Sequence, residues 1–383
     1  MARWLLPEGI SDVLPLEAAR IEELRRALLD LYRGHGYALV IPPLIEYLDS
    51  LLTGTGRDLD LRTFKLVDQL SGRQLGLRAD ITPQTARIDA HVLNRRGVVR
   101  LCYAGSVLHT RLAHPLASRQ PIQVGAELYG SDALAADAEV QRLAVQSLRL
   151  AGVVQPHFDL GHTGVVRALL AGDAAAQAAA DDILAALSSK DCGALLAAVA
   201  QAAPATQAAL AALLDLSGGP EVLDRARRVL PAVPALTKAL DDLAWLAQRL
   251  PADAVGIDLA DLHGYRYYTG VNFAAYEVGA PAALLRGGRY DDIGRAFGRA
   301  RPATGFSIDL RELSRRQVNG LPRAILAPAL TDPHAAQLAE SLRAAGEIVV
   351  ERLAADDAVE GFDFDRELTL VAGRWQVVAR SEK

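Results

Sequence analysis

Cysteine is nearly absent: Cys102 and Cys192 are the only two in 383 residues. Two thiols cannot staple a disulfide scaffold, and their spacing fits no zinc motif. A reduced, cytoplasmic setting is the expectation. No run of about 18 uncharged apolar residues occurs, so no membrane span is expected. The opening Met1 to Glu8 lacks a long apolar core, so no signal peptide is read there. An excess of basic charge is missing too. Lys and Arg total 41 against 46 Asp and Glu, a formal charge of −5. That removes the broad positive field of a dedicated nucleic-acid binder. Neither a Walker A loop nor a dinucleotide fingerprint is present.

What is present is an ordinary globular balance, 51% hydrophobic and 23% charged, which argues against disorder. The length allows more than one domain. Ile21, Leu24, Leu28 and Leu31 recur every three or four residues and predict a first helix, opened near Pro15 and closed by Gly34 and Gly36. Tyr37 to Ile41 reads as a strand, and Pro42-Pro43 confines it to an edge or an end. Further strands are expected at Val98 to Ala104, Ile122 to Tyr129, His157 to Leu160, Val255 to Leu259 and Tyr267 to Tyr276. Helices are expected at Ala133 to Leu150 and Val165 to Leu170. Strands outnumber crossover helices, so the expected class is α+β, an antiparallel sheet flanked by helices. Residues 168–250 are dominated by Ala and Leu and read as a helical insertion between core segments 1–167 and 251–320. Residues 321–383 read as a short α/β appendage, with strands at Ala324 to Ala327 and Glu347 to Arg352 around a helix from Pro333 to Ala345. Leu368 to Val371 is a candidate to pair with them.

Four segments carry polar chemistry. In Leu77-Arg78-Ala79-Asp80-Ile81-Thr82-Pro83-Gln84, an extended backbone would put Asp80 and Thr82 on one face, where they could hold an ammonium group. Taken alone, Asp-x-Thr-Pro is more often a helix start. In Gln123-Val124-Gly125-Ala126-Glu127, residues 123, 125 and 127 share a strand face. Gly125 there leaves room for a small polar ligand that Glu127 could bind. The third segment, from Asp261 to Gly270, pairs Tyr267 with Tyr268, which supply flat walls and hydroxyls. The fourth, Gly287-Gly288-Arg289-Tyr290-Asp291, could let backbone approach a ligand closely. Ala303 to Leu310 follows it.

In this order, the four segments resemble the catalytic core of class II histidyl-tRNA synthetases, from about Pro7 to Leu313. His35 to Pro43 with Glu46 is similar to the first class II motif, which lies at a dimer interface. Arg100 to Gly130 resembles the second and Gly305 to Leu313 the third. The tyrosine pair and Gly-Gly-Arg-Tyr-Asp resemble segments particular to the histidine enzyme. The resemblance implies a histidine pocket. Asp80, Thr82 and Gln123 would hold the α-amino group, Glu127 and Tyr268 the imidazole, and Tyr267 and Tyr290 the walls.

The nucleotide side departs from that pattern. His109 stands where the synthetases carry the second-motif Arg, and Arg111 stands where they carry Glu. The third motif's Glu-Arg is inverted to Arg311-Glu312, and His263 replaces a further Arg. A neutral imidazole does not replace a permanently charged, bidentate guanidinium. Each lost contact of this kind costs about 10²–10³ in rate. The remaining 321–383 falls short of the roughly hundred residues of an anticodon-binding domain. The combination is similar to the regulatory-subunit family of ATP phosphoribosyltransferase, paralogues of the synthetases. That resemblance implies a chain without its own activity, cofactor or metal, and without nucleic-acid or membrane partners. It implies a homodimer within a hetero-octamer, completed by a short catalytic subunit and inhibited by histidine. The alternatives are a divergent active synthetase and a free-standing histidine sensor.

Overall fold

The computed structural model describes residues 5–54, 57–115, 117–251, 254–262, 264–265, 267–277, 282–316, 320–354 and 358–380. His263 lies outside them. The chain divides into two compact units, one ending at Arg316 and the other beginning at Gln317.

The first helix runs from Pro15 to Gly34 and buries Ile21, Leu24 and Leu28 as its periodicity predicts, but the stripe ends on Tyr32, with Leu31 only half-buried. Gly36, at φ +83, turns the chain out of it. Fully burying each such side chain contributes about 1.5–3 kcal/mol, so Leu28→Ala would leave a costly cavity beneath the sheet.

Among the described residues of the first unit, nine strands form one sheet. Their order is Ala38–Leu39, Val99–Ser106, Ile122–Tyr129, Ala303–Asp309, Leu285–Arg289, Val271–Tyr276, His157–His162, Ala254–Asp258 and Ser217–Gly218. The pairing is mostly antiparallel, as expected for this class. The exceptions are two parallel pairs, Ala38–Leu39 with Val99–Ser106 and Ala254–Asp258 with His157–His162. The Pro-bounded edge strand shrinks to two residues.

The Ala-rich region links the parallel neighbours His157–His162 and Ala254–Asp258. Parallel strands need a long crossover, and here the helices between residues 163 and 247 supply it. Their Ile183, Leu187, Leu210 and Leu243 are completely buried and belong to the same core as the underside of the sheet.

Three expectations change in detail. Tyr267 and Tyr268 are not in a strand. Their N–H groups both donate to the Gly264 carbonyl in a turn, and the strand begins at Val271. Asp80 to Thr82 is not extended, because Thr82 opens the helix Thr82–Arg87. The last strand of the second unit was not foreseen. That unit has a four-stranded sheet, Val349–Glu351, Arg323–Ala327, Asp363–Val371 and Arg374–Ala379 in order, with helix Pro333–Ala344. Asp363–Val371 turns back through Ala372 and Gly373, both at positive φ, into Arg374–Ala379.

No described helix is long and apolar enough to cross a membrane. Among the described residues, no group of three or more His, Cys, Asp or Glu could hold a metal ion. Cys102 and Cys192 are both free thiols.

Candidate functional site: a buried carboxyl ringed by hydroxyls

One face of the sheet packs on the core. The opposite face carries Tyr103, Gly125, Glu127 and Gly305 on three adjacent strands, with Tyr103 directly opposite Gly125 and Glu127 opposite Gly305. Strand alternation fixes this: each of these residues is an even number of positions from its neighbour on the same strand or lies across from it.

Glu127 is 1% exposed. Its Oε1 accepts from Thr82 Oγ1 at 3.0 Å and Tyr103 OH at 3.1 Å, and its Oε2 accepts from Tyr290 OH. The Thr82 and Tyr103 hydroxyls also lie 2.8 Å apart. Burial pushes the Glu127 carboxyl up to about 8, against the pull of the hydroxyl donors, and the nearby Asp80 charge adds to the rise. Burial also raises the phenols of Tyr103 and Tyr290 well above their ordinary range. They therefore stay protonated and serve as donors.

Asp80 forms the second acidic corner. Its Oδ1 accepts from Thr82 N–H at 3.0 Å and from Gln123 Nε2 at 2.8 Å. The other end of Gln123 accepts from Ile81 N–H at 2.9 Å, so this amide holds the Asp80 turn in place. Tyr267 stacks on Tyr290 with ring centres 4.9 Å apart, and Tyr268 stands edge-on to Tyr267 at 5.4 Å. The Tyr267 hydroxyl is buried without a partner. All seven residues read from the sequence as the amino-acid pocket thus converge. They surround two acids, several hydroxyls and aromatic walls, which suits a small cationic ligand with a flat ring.

Two details of the sequence reading are corrected. The space over Gly125 is not open for a ligand, because a Cβ there would lie 2.4 Å from the Tyr103 hydroxyl, which fills it. The glycines beside Arg289 also serve the protein itself. A Cβ on Gly288 would strike the Val271 carbonyl at 2.6 Å and the Tyr268 ring at 2.9 Å, while Arg289 turns away to pair with buried Asp137 at 2.6 Å.

Three of the nucleotide-side positions, 109, 311 and 312, make internal contacts. His109 is 7% exposed and touches the Ala79 carbonyl through Nε2 at 2.9 Å. Arg62 Nη2 lies over the same ring, 2.9 Å from Nε2 and 3.2 Å from Nδ1. Burial, and then the Arg62 charge, lower its pKa to about 4, so it is neutral at pH 7. Arg311 is buried and bonds Ser118, the Ser11 hydroxyl and the Ser11 carbonyl. Glu312 accepts from His114 at 2.6 Å. Arg111 is exposed.

Sequence reasoning missed Tyr103, His114 and Arg62. Tyr103 was detectable, since it sits in a predicted strand and a fully buried tyrosine needs a hydroxyl partner. His114 approaches from a loop and Arg62 from the end of the short helix Arg57–Arg62, and the sequence carries no register between them and the sheet.

Comparison with known proteins bears on the family and the fold. A histidyl-tRNA synthetase family model matches residues 9–313, and a model described as the ATP phosphoribosyltransferase subunit HisZ C-terminal domain matches 322–378. The ATP phosphoribosyltransferase regulatory subunit of Ralstonia pickettii is 56% identical over 380 residues, covering 99% of this chain and 98% of that protein. The one from Paraburkholderia phytofirmans is 54% identical across the full length of both chains. Among solved structures, an ATP phosphoribosyltransferase regulatory subunit/histidyl-tRNA synthetase from Bacillus halodurans superimposes with TM-score 0.82 at 29% identity, covering 93% of this chain and 94% of that one. A Nostoc histidyl-tRNA synthetase shares the fold, with TM-score 0.77 at 18% identity over 99% of this chain and 97% of its own. The synthetase-like core, the short second unit and full-length identity above 50% lead to one conclusion: this chain belongs to the ATP phosphoribosyltransferase regulatory subunits, non-catalytic relatives of histidyl-tRNA synthetase.

Proposed function

We propose that the chain serves histidine biosynthesis in the cytoplasm as the histidine-sensing subunit of ATP phosphoribosyltransferase. It completes a short catalytic subunit and inhibits it when histidine fills the pocket around Glu127. Asp80, with Thr82 and Gln123, receives the α-amino group. Glu127 and Tyr268 receive the imidazole, and Tyr267 and Tyr290 clamp the ring. The observation that carries this reading is the contrast between the two halves of the site. The amino-acid half keeps its acids, hydroxyls and rings, while the nucleotide half has His109 and Glu312 where phosphate would need guanidinium groups. A Glu beside a triphosphate repels it, and a neutral imidazole adds no compensating charge.

Assembly is proposed as a homodimer within a hetero-octamer. A row of exposed apolar side chains supports self-association: Leu39, Ile41, Leu44, Ile45 and Tyr47, with Ile41 82% exposed. Such a patch marks an interaction surface.

The test is co-purification with a short catalytic subunit, followed by turnover assays with and without histidine. Stimulated turnover that histidine suppresses supports the proposal. A chain that neither binds nor stimulates the catalytic subunit refutes it. Histidine-dependent pyrophosphate exchange by the isolated chain would favour an active synthetase instead.

A further inference from the structure

We infer that the short helix Thr82–Arg87 carries pocket occupancy to the apolar segment Pro42 to Tyr47, with Gln84 as the positioning residue. This rests on the histidine-pocket reading above. Thr82, the first residue of the helix, donates to the buried Glu127 carboxyl. Two residues on, Gln84 Nε2 donates to the Pro43 carbonyl at 2.8 Å and to Glu46 Oε1 at 2.8 Å. Five residues after Thr82, Arg87 Nη2 reaches the same Glu46 oxygen at 2.5 Å. This short helix therefore touches the pocket at one end and the segment bearing Leu44, Ile45 and Tyr47 at the other.

Two further observations single out this helix. Gln84 is 2% exposed, yet its Oε1 is buried without a partner. An amide kept in the core with half its capacity unused is poorly suited to stability alone. The far end of the segment is also anchored. The helix continues as a π-turn over Ile88–Leu93, where Asp89 pairs with buried Arg301 at 3.0 Å. A displacement of Thr82 when ligand competes for Glu127 cannot be absorbed there. It reaches Gln84 and Glu46 instead.

A second connection runs through the backbone, since Arg78 N–H donates to the Leu44 carbonyl and Arg78 Nη1 to that of Pro42. The experiment must separate the two. Hydrogen–deuterium exchange is measured on the full chain with and without saturating L-histidine, reading the amides of residues 44–47. Binding is followed in parallel by calorimetry. In the wild type, histidine is expected to change exchange at 44–47 by about fivefold or more. In Gln84→Ala, histidine still binds, but the change at 44–47 is lost. Glu46→Gln, which keeps an acceptor and the side-chain shape, is expected to diminish it and guards against a misfolded Gln84→Ala. Coupling that survives both substitutions overturns the inference and assigns transmission to the Arg78 backbone. A wild type that binds histidine without any change at 44–47 overturns it as well. A wild type that does not bind histidine overturns the pocket reading itself.

Discussion

Gly305 stands directly across the strand ladder from Glu127, and a Cβ built on it would lie 1.5 Å from Glu127 Oε2. The buried carboxyl occupies the space of the side chain that Gly305 lacks. The third-motif glycine is thus needed for close approach of an acid, rather than for a turn.

Gly305→Ala should therefore displace Glu127 from its hydroxyl ring. The Ala126 carbonyl, 2.8 Å from the same Cβ, blocks relief by a backbone shift. A loss of about 1–3 kcal/mol, typical of overpacking, is expected, together with loss of histidine binding. Thermal melts and calorimetry read the two effects, and a variant that binds like wild type would show that Glu127 is not the ligand's acceptor.

The Glu127 carboxyl sits near 8 in the folded chain, well above its ordinary value of 4.5, because burial disfavours its charge. The folded state holds a proton that the unfolded state releases. The stability this supplies is full below about pH 4.5 and is lost as pH rises through about 8, at roughly 1.4 kcal/mol per pH unit. Glu127→Gln has no charge to bury. Its stability relative to wild type should rise across that window in denaturant titrations at several pH values. A difference independent of pH would contradict the assignment.

His109 behaves in the opposite sense. Its pKa is lowered to about 4 from 6.5, first by burial and then by Arg62. Its contribution is present above about pH 6.5 and disappears as pH falls through about 4. Restoring an Arg at this position does not restore a synthetase, because the new guanidinium would meet Arg62. His109→Arg is expected to be destabilised and to give no pyrophosphate exchange. Exchange above background would show that the lost guanidinium alone silenced the chain.

Asp80→Asn keeps an oxygen that can cap Thr82 but removes the charge facing an α-amino group. Histidine affinity should fall by about 10- to 150-fold, the equivalent of 1.5–3 kcal/mol for a charged contact. Imidazole, which has no α-amino group, should bind wild type and variant alike. Equal losses for both ligands would place Asp80 elsewhere in the scheme.

Much of this was legible in the residues. The stripe Ile21, Leu24 and Leu28 follows from periodicity because the first helix buries one face, whereas the strand Ile122–Tyr129 is buried on both faces from Val124 onward and shows no such alternation. The convergence of Glu127 with Thr82 and Tyr290 was reachable only through motif resemblance, since these residues are far apart in sequence and meet through tertiary pairing. Tyr267 and Tyr268 were read as strand because aromatic runs favour strands, but Gly264 captures their N–H groups first. The role of the Ala-rich helices as a crossover between parallel strands was not legible, because composition carries no strand order. The Glu312–His114 contact joins residues 198 positions apart, and charge pattern alone gave no hint of it.

The central claim is that histidine controls the catalytic subunit through the pocket around Glu127. Its most direct test is a histidine titration of the reconstituted complex containing Glu127→Ala. Histidine must favour the inhibited assembly to act at all, so removing its acceptor should shift inhibition to about 10-fold higher histidine or beyond. Assembly and uninhibited turnover should be retained. A mutant complex as inhibitable as wild type would contradict the account and place the controlling histidine outside this pocket.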